Sequence, residues 1–188
     1  MESRAAAPIL TAGLVTLRPH TRADRDDIVE ACRDEATWTW TTVPHPYEPE
    51  HADGYLDRSI GTTIDNEWPR WAIEFEGRFA GNMGLTMDEQ GEANVGYFVA
   101  PWGRGKGVGT LALWLACNWA FTDGNCEVVT WEALVGNEPS RKLAQKVGFK
   151  IHRDVRRLGV VQRGVRTDVW TADMLPADLV SLESLLHN

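Results

Sequence analysis

From Val99 the chain runs Val99-Ala100-Pro101-Trp102-Gly103-Arg104-Gly105-Lys106-Gly107-Val108-Gly109, with glycine at every second position from 103 to 109. Such a run suits an anion. Glycine lets the backbone approach a ligand and turn its amides toward it, and a helix starting just beyond adds partial positive charge at its N-terminus. Arg104 and Lys106 supply two cations able to pair with phosphate oxygens. Two rival phosphate sites fail by letter. The dinucleotide fingerprint Gly-x-Gly-x-x-Gly meets Val108 where its last glycine should stand, and a Walker A loop needs Ser or Thr where Gly107 follows Lys106.

The loop must be held by a strand before it and a helix after it. Ala93–Val99 reads as that strand, and Leu111–Phe121, apolar nearly all round, reads as a helix buried against a sheet. Upstream, Leu14–Arg18 is an alternating strand stopped by Pro19, and Thr21 can cap a helix from Ala23 to Arg33 with Asp24 at its positive end. The prolines of Val43–Pro49 exclude a continuing helix, and a second helix spans about Glu50–Thr63. Arg70–Phe75 and Phe79–Met87 form a hairpin through Glu76-Gly77-Arg78. Glu127–Ala133 is the next strand, Ser140–Val147 a helix ending at Gly148, and strands at about Lys150–Leu158 and Val165–Met174 close the chain. This order implies one domain, 1–188, with a mixed sheet between helices.

Arg104-x-x-Gly107-x-Gly109, the upstream Val99-Ala100-Pro101, and a later Asn137-Glu138-Pro139-Ser140 followed by Leu143–Phe149 together resemble the GNAT superfamily of N-acetyltransferases. Thr16-Leu17-Arg18-Pro19, Pro46-Tyr47 and Val95-Gly96-Tyr97-Phe98 are similar to its RimJ/RimL-like branch, which acts on ribosomal-protein N-termini and on many small amines. The resemblance implies an α/β (α+β) GNAT fold. Its central sheet is mixed, mostly antiparallel and twisted, of about seven strands with helices on both faces. A splay is expected between the strand ending at Val99 and the strand near 127–133.

The resemblance also implies acetyl-CoA as co-substrate. Arg104, Gly105, Lys106, Gly107, Val108, Gly109 and Thr110 would hold its pyrophosphate, Phe98 and Val99 its pantetheine arm, and Asn137, Ser140 and Lys142 would close the slot. The implied reaction is direct attack of a neutral primary amine in a ternary complex, with backbone amides near Phe98 and Val99 polarising the thioester carbonyl. Ser140 is the candidate general acid; tyrosine does this elsewhere in the superfamily, but none of Tyr47, Tyr55 or Tyr97 falls at that helix. Asn137 and Ser140 also read simply as an N-cap pair.

The base is open. Many relatives carry Glu immediately before hydrophobic-Gly-Tyr, but here Asn94 stands in that place, and an amide is no base. Glu92 points to the same face of a regular strand, Glu74 and Glu132 are other strand carboxylates, and water oriented by Asn94 is a further alternative. His20 and His45, near turns on the acceptor side, titrate near neutral pH, with a surface or capping role as the plainer reading.

Composition bounds the partners. The net charge of -8 argues against nucleic acid and is compatible with a cationic acceptor. Three unpaired cysteines suit a reducing compartment, and no apolar segment is long enough to span a membrane, so the expectation is cytoplasmic. No metal-ligand spacing is present. Nine tryptophans are unusual; Trp38, Trp40, Trp68, Trp71 and Trp102 fall near element ends, where each serves a core or a pocket.

The acceptor, a small-molecule amine or a protein N-terminus, enters this fold opposite the cofactor, between residues 38–47 and 156–166. Trp38, Trp40 and Tyr47 suit a cation or a planar group, whereas Arg156, Arg157, Arg163 and Arg166 suit a carboxylate or phosphate. Two alternatives stand beside acetyl transfer: a non-catalytic CoA-binding or sensing module, and an acyltransferase using another donor such as succinyl-CoA. A homodimer is left open.

Overall fold

The computed structural model describes residues 7–60 and 69–187. Trp68 and the end of the second predicted helix, 61–63, lie outside them. The elements are β1 (Leu10–Ala12), β2 (Val15–Arg18), α1 (Arg25–Arg33), α2 (Glu35–Trp40), α3 (Pro49–Ser59), β3 (Arg70–Phe75), β4 (Arg78–Met87) and β5 (Glu92–Val99). Then come α4 (Val108–Thr122), β6 (Val128–Leu134), α5 (Glu138–Val147), β7 (Lys150–Ile151), β8 (Arg156–Gln162), β9 (Val165–Met174) and α6 (Leu182–Leu186).

The strands form one sheet in the order β1-β2-β3-β4-β5-β6-β9-β7, with β8 also on β9. Among the described residues it has nine strands rather than about seven. The short β1 carried too few residues to show a period, and the stretch read as one strand over 150–158 is two. Arg153 and Asp154 stay exposed between β7 and β8, and both strands use the edge of β9. The β3–β4 turn is as predicted: Glu76 and Gly77 have φ of 53° and 75°, the signature of a type I′ hairpin.

Two helix starts differ from the sequence reading. A 3-10 turn, Arg22–Asp24, precedes α1; Thr21 is its N-cap, as predicted, and Asp24 accepts from the Thr21 amide at 2.8 Å. The helix α2 was not predicted. Its Thr37-Trp38-Thr39-Trp40 is strand-like by composition, yet Asp34 accepts from the Thr37 amide at 3.0 Å and starts a turn that outweighs that preference.

Alternation along β3 builds the layers. Trp71 and Ile73 join the cluster around α4, while Ala72 joins the cluster of α1 and α3 on the opposite face. The apolar α4 is buried between the sheet and α5, as its all-round apolarity predicted. Trp71, Trp102 and Trp114 are core side chains whose indole N–H groups donate to the carbonyls of Pro8, Phe79 and Val180. The three cysteines are buried and free.

Every pairing is antiparallel except β5–β6, which α4 makes possible as a crossover. β5 pairs with β4 over its full useful length, from Ala93 to Val99. With β6 it pairs only from Glu92 to Val95. From Gly96 to Val99 the two strands part, and the expected splay is present.

One polar cluster anchors α1 to the sheet. Arg18 donates to both Asp24 oxygens at 2.7 and 2.9 Å and to Glu74 at 2.6 Å. Burial by itself raises the pKa of Asp24, but Arg18 and the Thr21 amide outweigh it and hold the carboxyl below its usual range. A depressed folded-state pKa confers stability that is full above the ordinary carboxylate value and lost as pH falls through the folded one. Arg18→Ala is therefore expected to cost on the order of 3 kcal/mol in urea unfolding at pH 7, because it strands a buried charge. The difference from wild type should shrink on acidification.

Candidate active site

The glycines of the loop do two different jobs. Gly105 and Gly107 have φ of 72° and 77°, and a Cβ added at either meets nothing within 4 Å. They permit the left-handed turns and leave open space beside the backbone. Gly109 is needed for packing: a Cβ there would sit 2.6 Å from Leu143 Cδ1 and 3.1 Å from Val99 Cγ2. Gly107 is the N-cap of α4, and the first bond after it is Leu111 N to Gly107 O at 3.1 Å. The amides of Val108, Gly109 and Thr110 precede that bond and have no helical partner, which makes an anion cradle.

The loop opens into a cavity of about 650 Å³ between the separated ends of β5 and β6. Phe98, Val99, Arg104, Gly105, Gly107, Val108, Gly109, Thr110, Asn137, Ser140 and Lys142 all face it, as do Trp40 and Lys146. One end therefore offers amides and lysines, and the walls offer Trp40, Phe98 and Leu143. That combination fits a long ligand with an anionic end and an uncharged arm, as CoA is.

Of the two basic residues of the loop, Lys106 sits otherwise than expected, and Arg104, which faces the cavity, also makes bonds elsewhere. The Lys106 ammonium lies 5.4 Å from the Phe75 ring, and Lys106 is not among the residues lining the cavity. Arg104 is a strap: it donates to Asp34 at 2.6 Å, to Thr37 Oγ1 at 2.9 Å and to the Val99 carbonyl at 3.0 Å. It ties α2 to the end of β5. Lys146, which the sequence reading did not select, faces the cavity instead.

At the other end, Asn137 caps α5 by accepting from the Ser140 amide at 3.2 Å, as its spacing predicted. Ser140 Oγ lies 2.9 Å from the hydroxyl of Tyr97, and Trp131 Nε1 donates to the same hydroxyl at 3.2 Å. Tyr97 was set aside because it is not in the α5 sequence; the fold brings it there across the splay from β5. Burial pushes its pKa up to about 12, so the phenol keeps its proton.

A second cavity, about 310 Å³, lies on the other side of the same strand end and shares Thr41, Tyr97 and Phe98 with the first. Tyr47, Tyr55, Phe79, Asn82 and Asn94 contribute to its wall, and among the described residues Arg70 is the one charged residue that lines it. The proposed aromatic wall is thus divided: Tyr47 faces this cavity, Trp40 the first, and Trp38 neither, being stacked on His45 with ring centroids 4.1 Å apart.

Asn94 donates to Thr130 Oγ1 at 3.1 Å, and Thr130 donates to Glu92 at 3.0 Å. Glu92 shares the face of Asn94, as a regular strand requires, but is exposed and lines neither cavity. Glu74 is bound by Arg18, and Glu132 faces Arg156 at 3.5 Å. His20 is buried behind the second cavity. Its Nε2 lies 3.0 Å from Asn82 Oδ1 and 3.0 Å from the Tyr55 hydroxyl, which also donates to Asn82. Burial pushes its pKa down to about 4, leaving it neutral at physiological pH. His45 is exposed. Among the described residues no cluster of three or more His, Cys, Asp or Glu could hold a metal ion, and no helix is long and apolar enough to cross a membrane.

The strap suggests a measurable coupling. Arg104→Ala should loosen α2, with faster amide exchange at Thr37–Trp40 and a stability loss of about 1–2 kcal/mol from its charged hydrogen bonds. Unchanged exchange in α2 would show that Arg104 does not hold it.

Comparison with known proteins places this geometry. Residues 15–150 match the model of the acetyltransferase (GNAT) domain. The "Putative ribosomal N-acetyltransferase YdaF" of Bacillus subtilis (strain 168) is 28% identical over 132 residues, covering 64% of this chain and 69% of its own. The structure of Mycobacterium smegmatis RimJ in complex with CoA-disulfide superposes with a TM-score of 0.79 at 20% identity, over 96% of this chain and 92% of that one. RimL, described as a ribosomal L7/L12 alpha-N-protein acetyltransferase in complex with coenzyme A, gives 0.77 at 15% identity, over 89% and 98%. At these identities the two structures show a shared fold; the match over most of the chain shows more, and this protein belongs to the GNAT acetyltransferase domain family of acyl-CoA-dependent enzymes.

Proposed function

We propose that this enzyme transfers an acetyl group from acetyl-CoA to the primary amine of a polypeptide N-terminus. The observation that carries the reading is the meeting of two cavities at Tyr97 and Phe98, with the Tyr97–Ser140 hydrogen bond at the junction. The larger cavity takes the donor. The amides of Val108–Thr110, with Lys142 and Lys146, hold its pyrophosphate, and the edge of β5 that β6 leaves open beyond Val95 offers backbone groups to its amide-bearing arm. Bound acetyl-CoA supplies the thioester that the amine attacks.

The chain's own groups handle the protons. Ser140 Oγ donates at the leaving sulfur, supported by the Tyr97 hydroxyl at 2.9 Å. In the acceptor cavity, the aromatic walls disfavour an ammonium and favour the neutral amine that attacks. Asn94, held by Thr130, orients that amine or its water, and the proton lost from nitrogen passes through water to solvent, where Glu92 is an exposed carboxylate. The names of YdaF and RimL point to a polypeptide acceptor.

Amine-dependent thiol release from acetyl-CoA is the test. Gly107→Glu should abolish CoA binding by placing a carboxylate in the cradle. Gly107→Ala, which adds the same backbone strain without the charge, should keep it. Full CoA affinity in Gly107→Glu would refute the cradle. Tight CoA binding without turnover on peptides or small amines would refute catalysis, and faster turnover of succinyl-CoA would replace the donor.

Tyr97→Phe is expected to lower kcat on the order of 10²-fold with little change in either KM. Because the wild-type phenol is held to about 12, kcat should not decline near the ordinary tyrosine value of about 10. An alkaline loss centred there would show that burial does not hold the proton on this phenol.

A further inference from the structure

The β8–β9 hairpin differs in charge from the rest of the protein. Residues 153–166 hold Arg153, Arg156, Arg157, Arg163 and Arg166 against the single acid Asp154, in a chain of net charge -8. Apolar side chains are interleaved with them: Val155, Leu158, Val161 and Val165 are 40 to 66% exposed. Val161 lies directly opposite Arg166 across the hairpin.

This hairpin is firmly placed. Arg163 and Gly164 have φ of 46° and 84°, a tight type I′ turn. Gln162 Nε2 donates to the carbonyls of Thr39 and Thr41, each at 2.8 Å. Arg163 Nη1 donates to the carbonyls of Trp38 at 2.8 Å, Val43 at 3.2 Å and Thr41 at 3.3 Å. Thr41 and Val43 line the acceptor cavity, so the hairpin is fastened to its rim. Arg163 is committed to that clamp, and Arg166 donates to the Leu158 carbonyl at 3.0 Å. Arg156 has only a long contact with Glu132 at 3.5 Å, and Arg153 and Arg157 are exposed.

The geometry points to this hairpin as a docking surface for an acidic stretch of the acceptor polypeptide, a few residues beyond the amine that enters the cavity. The inference rests on the reading of a polypeptide acceptor. Arg153, Arg156 and Arg157 present forked donors that match carboxylates, and the exposed valines and Leu158 can cover apolar side chains between those acids. The apolar component favours a peptide over RNA, whose backbone offers nothing to cover it. The acidic remainder of the protein also repels a long polyanion, whereas a short acidic stretch meets the hairpin alone.

Three peptides sharing one N-terminal sequence, followed by an acidic, a neutral or a basic segment, test this. The acidic peptide should exceed the neutral one in kcat/KM on the order of tenfold, carried by KM, and lose that advantage in about 0.5 M NaCl. Charge reversal in Arg153→Glu/Arg157→Glu should invert the ranking and raise the basic peptide above the acidic one, a gain that misfolding cannot produce. Equal rates for all three peptides, or an unchanged ranking in the double variant, would overturn the proposal. So would an RNA oligonucleotide that inhibits the wild type and spares the double variant. Absence of transfer to every peptide, with small amines still acetylated, would overturn the polypeptide acceptor itself and this surface with it.

Discussion

Parallel pairing between β5 and β6 ends at Val95 and Trp131, while β5 continues against β4 as far as Val99. A sheet that is antiparallel elsewhere thus contains one parallel pair, joined through the helix α4, and that pair opens at one end. Opening leaves backbone on β5 without a sheet partner, a cost that ordinary sheets avoid. Here it creates the space in which both cavities meet. The glycine loop, the start of α4 and the cap of α5 all lie around this opening, so the cradle and the Ser140–Tyr97 pair depend on it.

Packing around the opening is polar where position matters and apolar where bulk matters. Arg104 bridges Asp34, Thr37 and the Val99 carbonyl, which sets the distance between α2 and the strand end. Trp131 holds the Tyr97 hydroxyl from the β6 side while Ser140 meets it from α5. Farther back, Arg18 keeps Asp24 ionised within the fold, and burial keeps His20 neutral beside Asn82 and Tyr55. The wall of the second cavity is therefore backed by groups of settled charge.

Much of this was legible from residue types. The all-round apolarity of Leu111–Phe121 predicted a buried helix, Glu76-Gly77 a tight hairpin, and Asn137 with Ser140 a capped helix start. The alternate glycines and the second motif marked segments that line one common cavity. Less legible were the features built from distant segments. Nothing in Thr37-Trp38-Thr39-Trp40 by itself suggests a helix; Asp34 supplies the cap that decides it. Arg104 looks like a phosphate ligand in a glycine loop, yet its guanidinium bonds to residues seventy positions away.

Local chemistry, then, was determined by the sequence: where glycine must turn, where a helix starts, which faces are apolar and which loop suits an anion. These depend on residues within a turn or two of each other, and their energetics are local. Tertiary structure decided which groups meet. Tyr97 and Ser140 are 43 positions apart and touch only because β5 and α5 converge across the splay. Glu92 and Asn94 share a face, but the register with Thr130 makes them a connected chain that ends in solvent. Likewise, the arginine-rich hairpin late in the chain reaches the rim of the smaller cavity because Gln162 and Arg163 fasten its turn to the carbonyls of residues 38–43. Such convergence depends on the packing of whole elements, which no single segment encodes.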